Sequence, residues 1–519
     1  MAGCNQTGSD SSEKSKSSDP NKRDELVMAI GGEPETGFDP TTGWGRYGSP
    51  LFQSTLLKRD HEMNIINDLA LNYDVSKDGR TWTVRIRDDV KFSDGEPLTA
   101  EDVRFTYETA LHNGSVVDLT ILEKVEVIND YTVQFHLKEP QSTFIDALIS
   151  TGIVAKHAYG EQYAENPIGS GPYQLVQWDK GQQLIVKANP EYYGKKPYFR
   201  QLTFLFLSED ASLAAAQAGE VDVAAIPAAF SSRKVPGMKL EALKSVDNRG
   251  IVFPYVKSSG KTKDGYPIGN DVTADPAIRH AINIAIDREA LIEGVLEGYG
   301  SPAYSPVDEL PWWNPDTVFK DGDMEGAKEL LRDAGWKDTD RDGVLEKGNL
   351  KAQFTLYYPA NDTVRQSLSI AAADMIKPLG INVKVEGGSW DEIEQKMYAN
   401  AVLMGWGSHN PNELYHIYSS KNAGVDYYNT GFYQNKTVDE YFEKALKATD
   451  ESEAQKFWQL AQWDGTTGLS ALGDAPWAWL VNIDHLYLVK DGLNIGKQQV
   501  HPHGHGFPVT SNIEEWKWE

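Results

Sequence analysis

Three histidines fall within five residues near the C-terminal end of the chain. They are His501, His503 and His505 in HPHGHG, in a sequence of 519 residues with only 11 His. Neutral imidazole is a ligand for nickel, copper and zinc. Gly504 and Gly506 let the backbone bend between the rings. On an extended strand alternate residues share a face, so all three rings could point one way; on a turn only one or two converge. The competing reading is one buried, hydrogen-bonded histidine and two solvated ones. A second candidate is DTDRDGVLEKGN, residues 338–349, which opens like the D-x-D-x-D-G of a calcium loop. Its twelfth residue is Asn349 rather than a bidentate Glu, with Glu346 at the ninth position. Aspartates capping their own turn compete with calcium as the explanation.

Other metal and catalytic chemistry has little support. The single cysteine, Cys4, excludes an internal disulfide framework and Cys-based zinc sites. No G-x-S-x-G, H-E-x-x-H or P-loop sequence occurs. A secreted metal-dependent hydrolase built on the histidines is the rival from another class. It would need an open coordination position and a carboxylate base.

The totals set limits on what positions these residues. A chain of 519 residues exceeds one ordinary core, so two or three domains or lobes are expected. Lys plus Arg is 50 and Asp plus Glu is 76, a net charge of −26. Such a surface repels nucleic acid and anionic headgroups, and no long basic run offsets it. No apolar run reaches the ~18–20 residues of a membrane span. Ala2-Gly3-Cys4 reads as the end of a bacterial lipoprotein signal whose apolar part is missing, with Met1 as an added start. Six of residues 9–18 are Ser, a solvated tether without apolar area to bury. The expectation is a lipid at Cys4, a tether over 1–25 and a body held outside the cytoplasmic membrane through that anchor alone.

From Leu26 the pattern is ordered. LVMAI is a strand, followed by a Gly/Pro-rich loop; TWTVRIR alternates as a half-buried strand does. Thr99 is the expected N-cap of AEDVRFTYETAL, with Glu101 and Asp102 in its first turn. KVEVINDYTVQFHLKEP reads as strand, turn, strand. ADPAIRHAINIAIDREALIEGVL is helical, opened by Pro276 and broken near Asp287. LKAQFTLYYP and INVKVEGG are strands flanking a helix. Trp458, Trp463, Trp477 and Trp479 are expected to pack a core or a cleft floor, and His485 is expected to be a satisfied core histidine. Strands and helices alternate throughout, an α/β chain with mixed sheets.

Four blocks in order carry a resemblance. They are SKDGRTWTVRIRDDVKFSDGEPLTAEDVRFTYE (76–108), NPIGSGPYQLVQWDKGQQLIVKANPEYYGKKP (166–197), DPAIRHAINIAIDREALIEGVLEGYG (275–300) and AKELLRDAGWKD. Together they resemble the family 5 extracellular solute-binding proteins of peptide and nickel ABC importers, with the nickel-binding subgroup favoured. The resemblance implies a two-lobe periplasmic-binding-protein-like fold (type II, cluster C-like) with a hinge and a ligand cleft. Lobe I is expected over 26–255 with 488–519 returning to it, and lobe II over 256–487. A monomer working with an ABC permease and ATPase is implied, not an enzyme.

The resemblance also frames the ligand. Peptide-binding members carry an Asp three residues after a Gly-Trp to pair with the ligand's ammonium. Here Gly405-Trp406 is followed by His409, with Glu413 as a possible substitute. A neutral imidazole lacks the fixed charge an ammonium needs. In the loop FDPTTGWGRYG, Trp44 could stack on a flat ligand and Arg46 could pair with a carboxylate. Tyr415 joins Trp406, His409 and Glu413 as a candidate ligand contact. The expectation is therefore a Ni2+ chelate, for example with free histidine, bound through His501, His503 and His505 as transported cargo. A di- or oligopeptide is the alternative.

Overall fold

The computed structural model describes residues 23–34, 36–47, 51–114, 118–504 and 506–519. Cys4 and His505 lie outside this set. Two mixed sheets and one smaller antiparallel sheet organise the chain. The strand Glu25–Ala29 pairs in parallel with Gln201–Leu205 on one side and with Val223–Ile226 on the other. Gln183–Ala188 and Tyr173–Asp179 extend that sheet at one end; His485–Lys490 and Met238–Leu243 complete it at the other. The second sheet runs Gly300–Pro302, Trp477–Ile483, Asn248–Val252, Ala401–Met404, Gln353–Pro359 and Asn382–Gly388. The third is antiparallel, Ala70–Val75, Thr81–Ile86, Thr132–Leu137 and Leu122–Asn129.

The local signals explain the helices. Thr99 donates from its backbone N (2.9 Å) and its Oγ1 (3.0 Å) to the Asp102 carboxylate, which starts the helix Ala100–Asn113. Gly114 ends it at a positive φ of 64°. Asp275 caps the helix Pro276–Ala285, and Asp287 caps the next one, Arg288–Val295. The break between them falls where the sequence places it. Among the described residues no helix is long and apolar enough to cross a membrane.

Sheet membership corrects the lobe boundaries. Asn248–Val252, counted above with lobe I, is an interior strand of the second sheet, between Ala401–Met404 and Trp477–Ile483. The chain therefore leaves the first body at 244–247, not at 255–256. It comes back between Trp477–Ile483 and His485–Lys490, at Asp484. After that return, Leu493, Ile495, Phe507, Ile513, Trp516 and Trp518 pack in the same core as Leu26, Met28 and Leu202.

Trp516 is fully buried, and its Nε1 donates to Asn512 Oδ1 at 2.9 Å. If the C-terminal segment completes this core, Trp516→Ala should cost about 3–5 kcal/mol. The measurement is the urea midpoint of the variant against that of the parent; an unchanged midpoint would show that the segment does not complete it.

Candidate functional site

The strand Ala401–Met404 ends in Gly405-Trp406-Gly407, which lies against the crossing at 244–248. A side chain at Gly405 would strike the Asn248 carbonyl, and one at Gly407 the Val246 carbonyl. Gly407 also holds a φ of 143°. Asn248 fixes the turn by accepting from Trp406 N on its Oδ1 (2.9 Å). The chain then curls round a carboxyl group. Glu413, in the helix Asn412–Tyr418, accepts from the backbone N–H of Gly407 and of Ser408, each at 3.2 Å. No cation pairs with it among the described residues. Burial pushes its pKa up to about 7 against the pull of those two N–H groups.

This loop forms one wall of a cavity of about 250 Å³. Trp406, His409, Glu413 and His416 line one wall; Gly45, Arg46 and Tyr47 line another. Trp406 stacks on Tyr428 at 5.7 Å, and Tyr428 on His416 at 4.5 Å. Lys58 and Arg59 also face the cavity but are neutralised there. Lys58 pairs with Asp68 (3.7 Å) and Glu514 (3.9 Å), and Arg59 with Asp146 (2.9 Å). Arg46 differs. Its guanidinium lies 4.4 Å from the Tyr47 ring centroid and, among the described residues, pairs with no carboxylate. His409 is half-buried, with its Nε2 out of contact with solvent and without a partner among the described residues. Burial first, then the positive charge of Arg59, takes its pKa down to about 3, so the ring is neutral.

His501 and His503 face elsewhere. His501 is wholly buried, its Nδ1 3.1 Å from Nδ1 of His485 and its Nε2 3.4 Å from Gln498 Oε1. Burial and the neighbouring His485 hold its pKa well below the usual imidazole value. His503 Nδ1 pairs with Asp247 Oδ1, and His485 Nε2 lies 3.4 Å from Asp247 Oδ2. Arg249 pairs with the same carboxylate. Burial alone would raise the Asp247 pKa, but Arg249, His503 and His485 hold it well below the ordinary range. Residues 501 and 503 do reach a common cluster, but it is the Asp247 cluster. The backbone explains this. His501 N donates to Lys244 O and Val246 N donates to His501 O, both at 2.8 Å, so the segment pairs along the crossing as a strand. Gln499 and Pro502 line the cavity instead.

Two further expectations are corrected. Trp44 is packed, edge-on to Phe38 (4.9 Å) and to Phe507 (5.9 Å), inside the first core. Tyr415 turns to Phe442 and is absent from the cavity wall. His416, which sequence reasoning passed over, takes the place. It follows Glu413 by three residues in one helix, a spacing that puts both on one face. The group Asp338, Asp340, Asp342 and Glu346 brings its carboxylates within 4.8 Å of one another. Lys351 pairs with Asp340, Asp342 and Glu346, and Asp338, Asp340 and Asp342 each accept a backbone N–H of their own turn. It is the only such group found among the described residues.

Residues 64–426 match the family described as bacterial extracellular solute-binding proteins, family 5 Middle. Protein XP55 of Streptomyces lividans is 35% identical over 482 residues, covering 90% of this chain and 85% of its own. The oligopeptide-binding protein AppA of Bacillus subtilis is 30% identical over 481 residues, covering 87% and 86%. Its structure with a nonapeptide superposes with a TM-score of 0.69 at 27% identity, over 96% of this chain and 100% of that one. The structure of NikZ from Campylobacter jejuni with Ni(L-His) gives 0.78 at 27% identity, over 95% and 99%.

The neutral, half-buried His409 has a consequence for acid stability. Its pKa is about 3 when folded against 6.5 for an ordinary imidazole, so the unfolded chain takes up the proton first. Stability is lost as pH falls from about 6.5 towards 3. His409→Gln should flatten that part of the profile, by up to about 1.4 kcal/mol per pH unit. Denaturant titrations of both proteins at pH 6.5, 5.5 and 4.5 measure it, and parallel profiles would contradict the assignment.

Proposed function

This chain belongs to the bacterial extracellular solute-binding proteins of family 5, and on that premise we propose that it captures a short peptide and presents it to an ABC importer. The peptide's carboxylate lies against Arg46 and its ammonium against Glu413. The observation that carries the reading is one uncompensated cation and one uncompensated buried carboxyl on the walls of a single cavity. A zwitterion supplies both missing partners at once, and charge-assisted hydrogen bonds to such groups are the strong ones. The oligopeptide-binding relative from B. subtilis supports the same class of ligand. Glu413 then takes the role that the Asp absent at position 409 has in peptide-binding members. Trp406 and Tyr428 offer flat apolar faces to the ligand's backbone and side chains.

A nickel chelate is the second reading, favoured by one observation. His409 presents an unpartnered, neutral Nε2 in a cavity that His416 also lines. A metal bound there would use these two rings rather than His501 and His503, which serve the Asp247 cluster; His505 is outside the described residues. The carboxylates of an amino-acid chelator would go to Arg46. The likeness to the C. jejuni protein holding Ni(L-His) supports this arrangement. The hydrolase alternative has no such support. We place lipidation at Cys4 and the permease and ATPase partnership within the same proposal.

Mass spectrometry of the ligand carried through native purification separates the readings. Recovery of nickel with free histidine, and no peptide, would replace the first with the second. Calorimetry then tests the anchors. Acetylating the peptide's N-terminus or introducing Glu413→Gln should each weaken binding tenfold or more, as should amidating the C-terminus or Arg46→Ala. The pH dependence has a fixed sign. Glu413 holds its proton up to about pH 7 in the free protein, and an ammonium stabilises the carboxylate, so uptake releases a proton. Affinity should fall as pH drops below 7, by up to about tenfold per unit, and Glu413→Gln should abolish that dependence.

A further inference from the structure

The cavity does not end at its cationic floor. The buried pair Arg59–Asp146, 2.9 Å apart with side chains 5% and 8% exposed, separates it from a second cavity of about 190 Å³. Arg59, Gln141, Thr143 and Asp146 line both. Past the pair the chemistry changes. Ile65, Tyr73, Val75, Trp82, Trp312 and Trp458 dominate the lining. The guanidinium of Arg59 lies 5.4 Å from the Trp312 ring centroid, so the ion pair is roofed on this side by an aromatic face. Trp82 and Trp312 each carry a buried indole N–H with no acceptor among the described residues.

Two bodies make the walls. The antiparallel sheet contributes Tyr73, Val75 and Trp82, and the helix Glu451–Gln462 contributes Ala454 and Trp458. Their meeting is fastened by Ser142, whose N donates to Leu446 O (2.7 Å) and whose Oγ donates to Ala445 O (2.8 Å). The chamber thus exists when the sheet and the helix pair are in contact, as they are here.

We propose that this chamber is a subsite of the same ligand cavity and takes one bulky apolar side chain, aromatic or branched aliphatic, of the bound peptide. The inference rests on the peptide reading above and narrows it to a substrate class. Arg59, Gln141, Thr143 and Asp146 line both, so the chamber adjoins the cavity that would hold the ligand's main chain. Arg59 and Asp146 neutralise each other on one side, and Asp450 and Glu451 stand at the start of the helix Glu451–Gln462 on the other. Its remaining walls gain from apolar burial.

Calorimetry with a set of tri- to pentapeptides tests this. Each all-alanine peptide is compared with versions carrying one Phe at successive positions. Burying a Phe side chain predicts a gain of tenfold or more in affinity at one position. Ala454→Leu fills the chamber and should remove that gain while leaving the all-alanine affinity within about twofold. Where Ala454→Leu lowers the thermal midpoint, Gln455→Leu on the same wall replaces it. A peptide carrying 4-nitrophenylalanine at the favoured position should also quench tryptophan emission more than the same residue elsewhere. All-alanine peptides that bind with no Phe preference, or a filled variant that weakens every peptide alike, would overturn the subsite and leave the peptide reading standing. Failure of every peptide to bind the parent protein would overturn that reading, and the subsite with it.

Discussion

A carboxylate kept ionised out of water must be surrounded by positive or donating partners, or it takes up a proton. Asp247 meets that requirement at the point where the chain passes from one sheet to the other. Its partners come from separate segments: Arg249 from the strand just entered, His485 from the strand that returns, and His503 from the C-terminal stretch. The backbone repeats the arrangement. Ile483 N donates to Asp247 O at 2.9 Å, and residue 501 pairs across Lys244 and Val246. One side chain therefore ties together both crossings and a third segment. Removing it would leave a buried guanidinium unpaired, the costly way to break a buried ion pair.

The cavity wall that carries Glu413 is built on this junction. Gly405 and Gly407 are glycine because the turn they bracket presses on the carbonyls of Asn248 and Val246. That turn delivers the two N–H groups that Glu413 accepts. The acid in the cavity is thus held by the same backbone that packs against the Asp247 junction. The two carboxyls contrast sharply. Asp247 has cationic and imidazole partners and is held well below the ordinary range, whereas Glu413 has only backbone donors and rises to about 7. Burial is common to both, so the difference lies in the partners.

Much of the fold was legible because its signals are local. Alternation in Thr81–Ile86, the Asp-Pro start of Pro276–Ala285 and the Asp287 break each state their own structure within a few residues. The crossing at 244–247 carries no Gly, Pro or composition change, so the boundary was read too late. Trp406, His409 and Glu413, which the sequence singles out from their local neighbours, do lie on the wall of the cavity. Legibility failed where the role depends on distant packing. Period-two spacing placed His501 and His503 on a common side, but only the pairing of residue 501 with Ser245 decides that the side is Asp247's. Trp44 sits in a glycine-rich loop that suggests exposure, and its burial comes from Phe507 near the other end of the chain. His416 was within reach of a helical reading once Glu413 had been singled out.

The charge on the whole chain says little about the cavity. A net −26 predicts an acidic surface, yet the cavity holds Arg46 with no carboxylate partner among the described residues, and its buried Glu413 and Asp146 rise to about 7 and about 6. What matters is where the uncompensated groups are mounted. Arg46 follows the strand Glu25–Ala29 of the first sheet, and Glu413 follows Ala401–Met404 of the second. A ligand bearing charge at only one end could satisfy one of them and would bind as well to separated bodies as to apposed ones. A ligand bearing both charges is fully paired only when the two bodies are apposed, so its binding energy favours that arrangement over any other. The apolar chamber obeys the same rule, since its walls come from the antiparallel sheet and from the helix Glu451–Gln462. On the proposed peptide reading, opposite charges and an apolar side chain on one small molecule would be matched by features divided between bodies, and recognition and closure would be the same event.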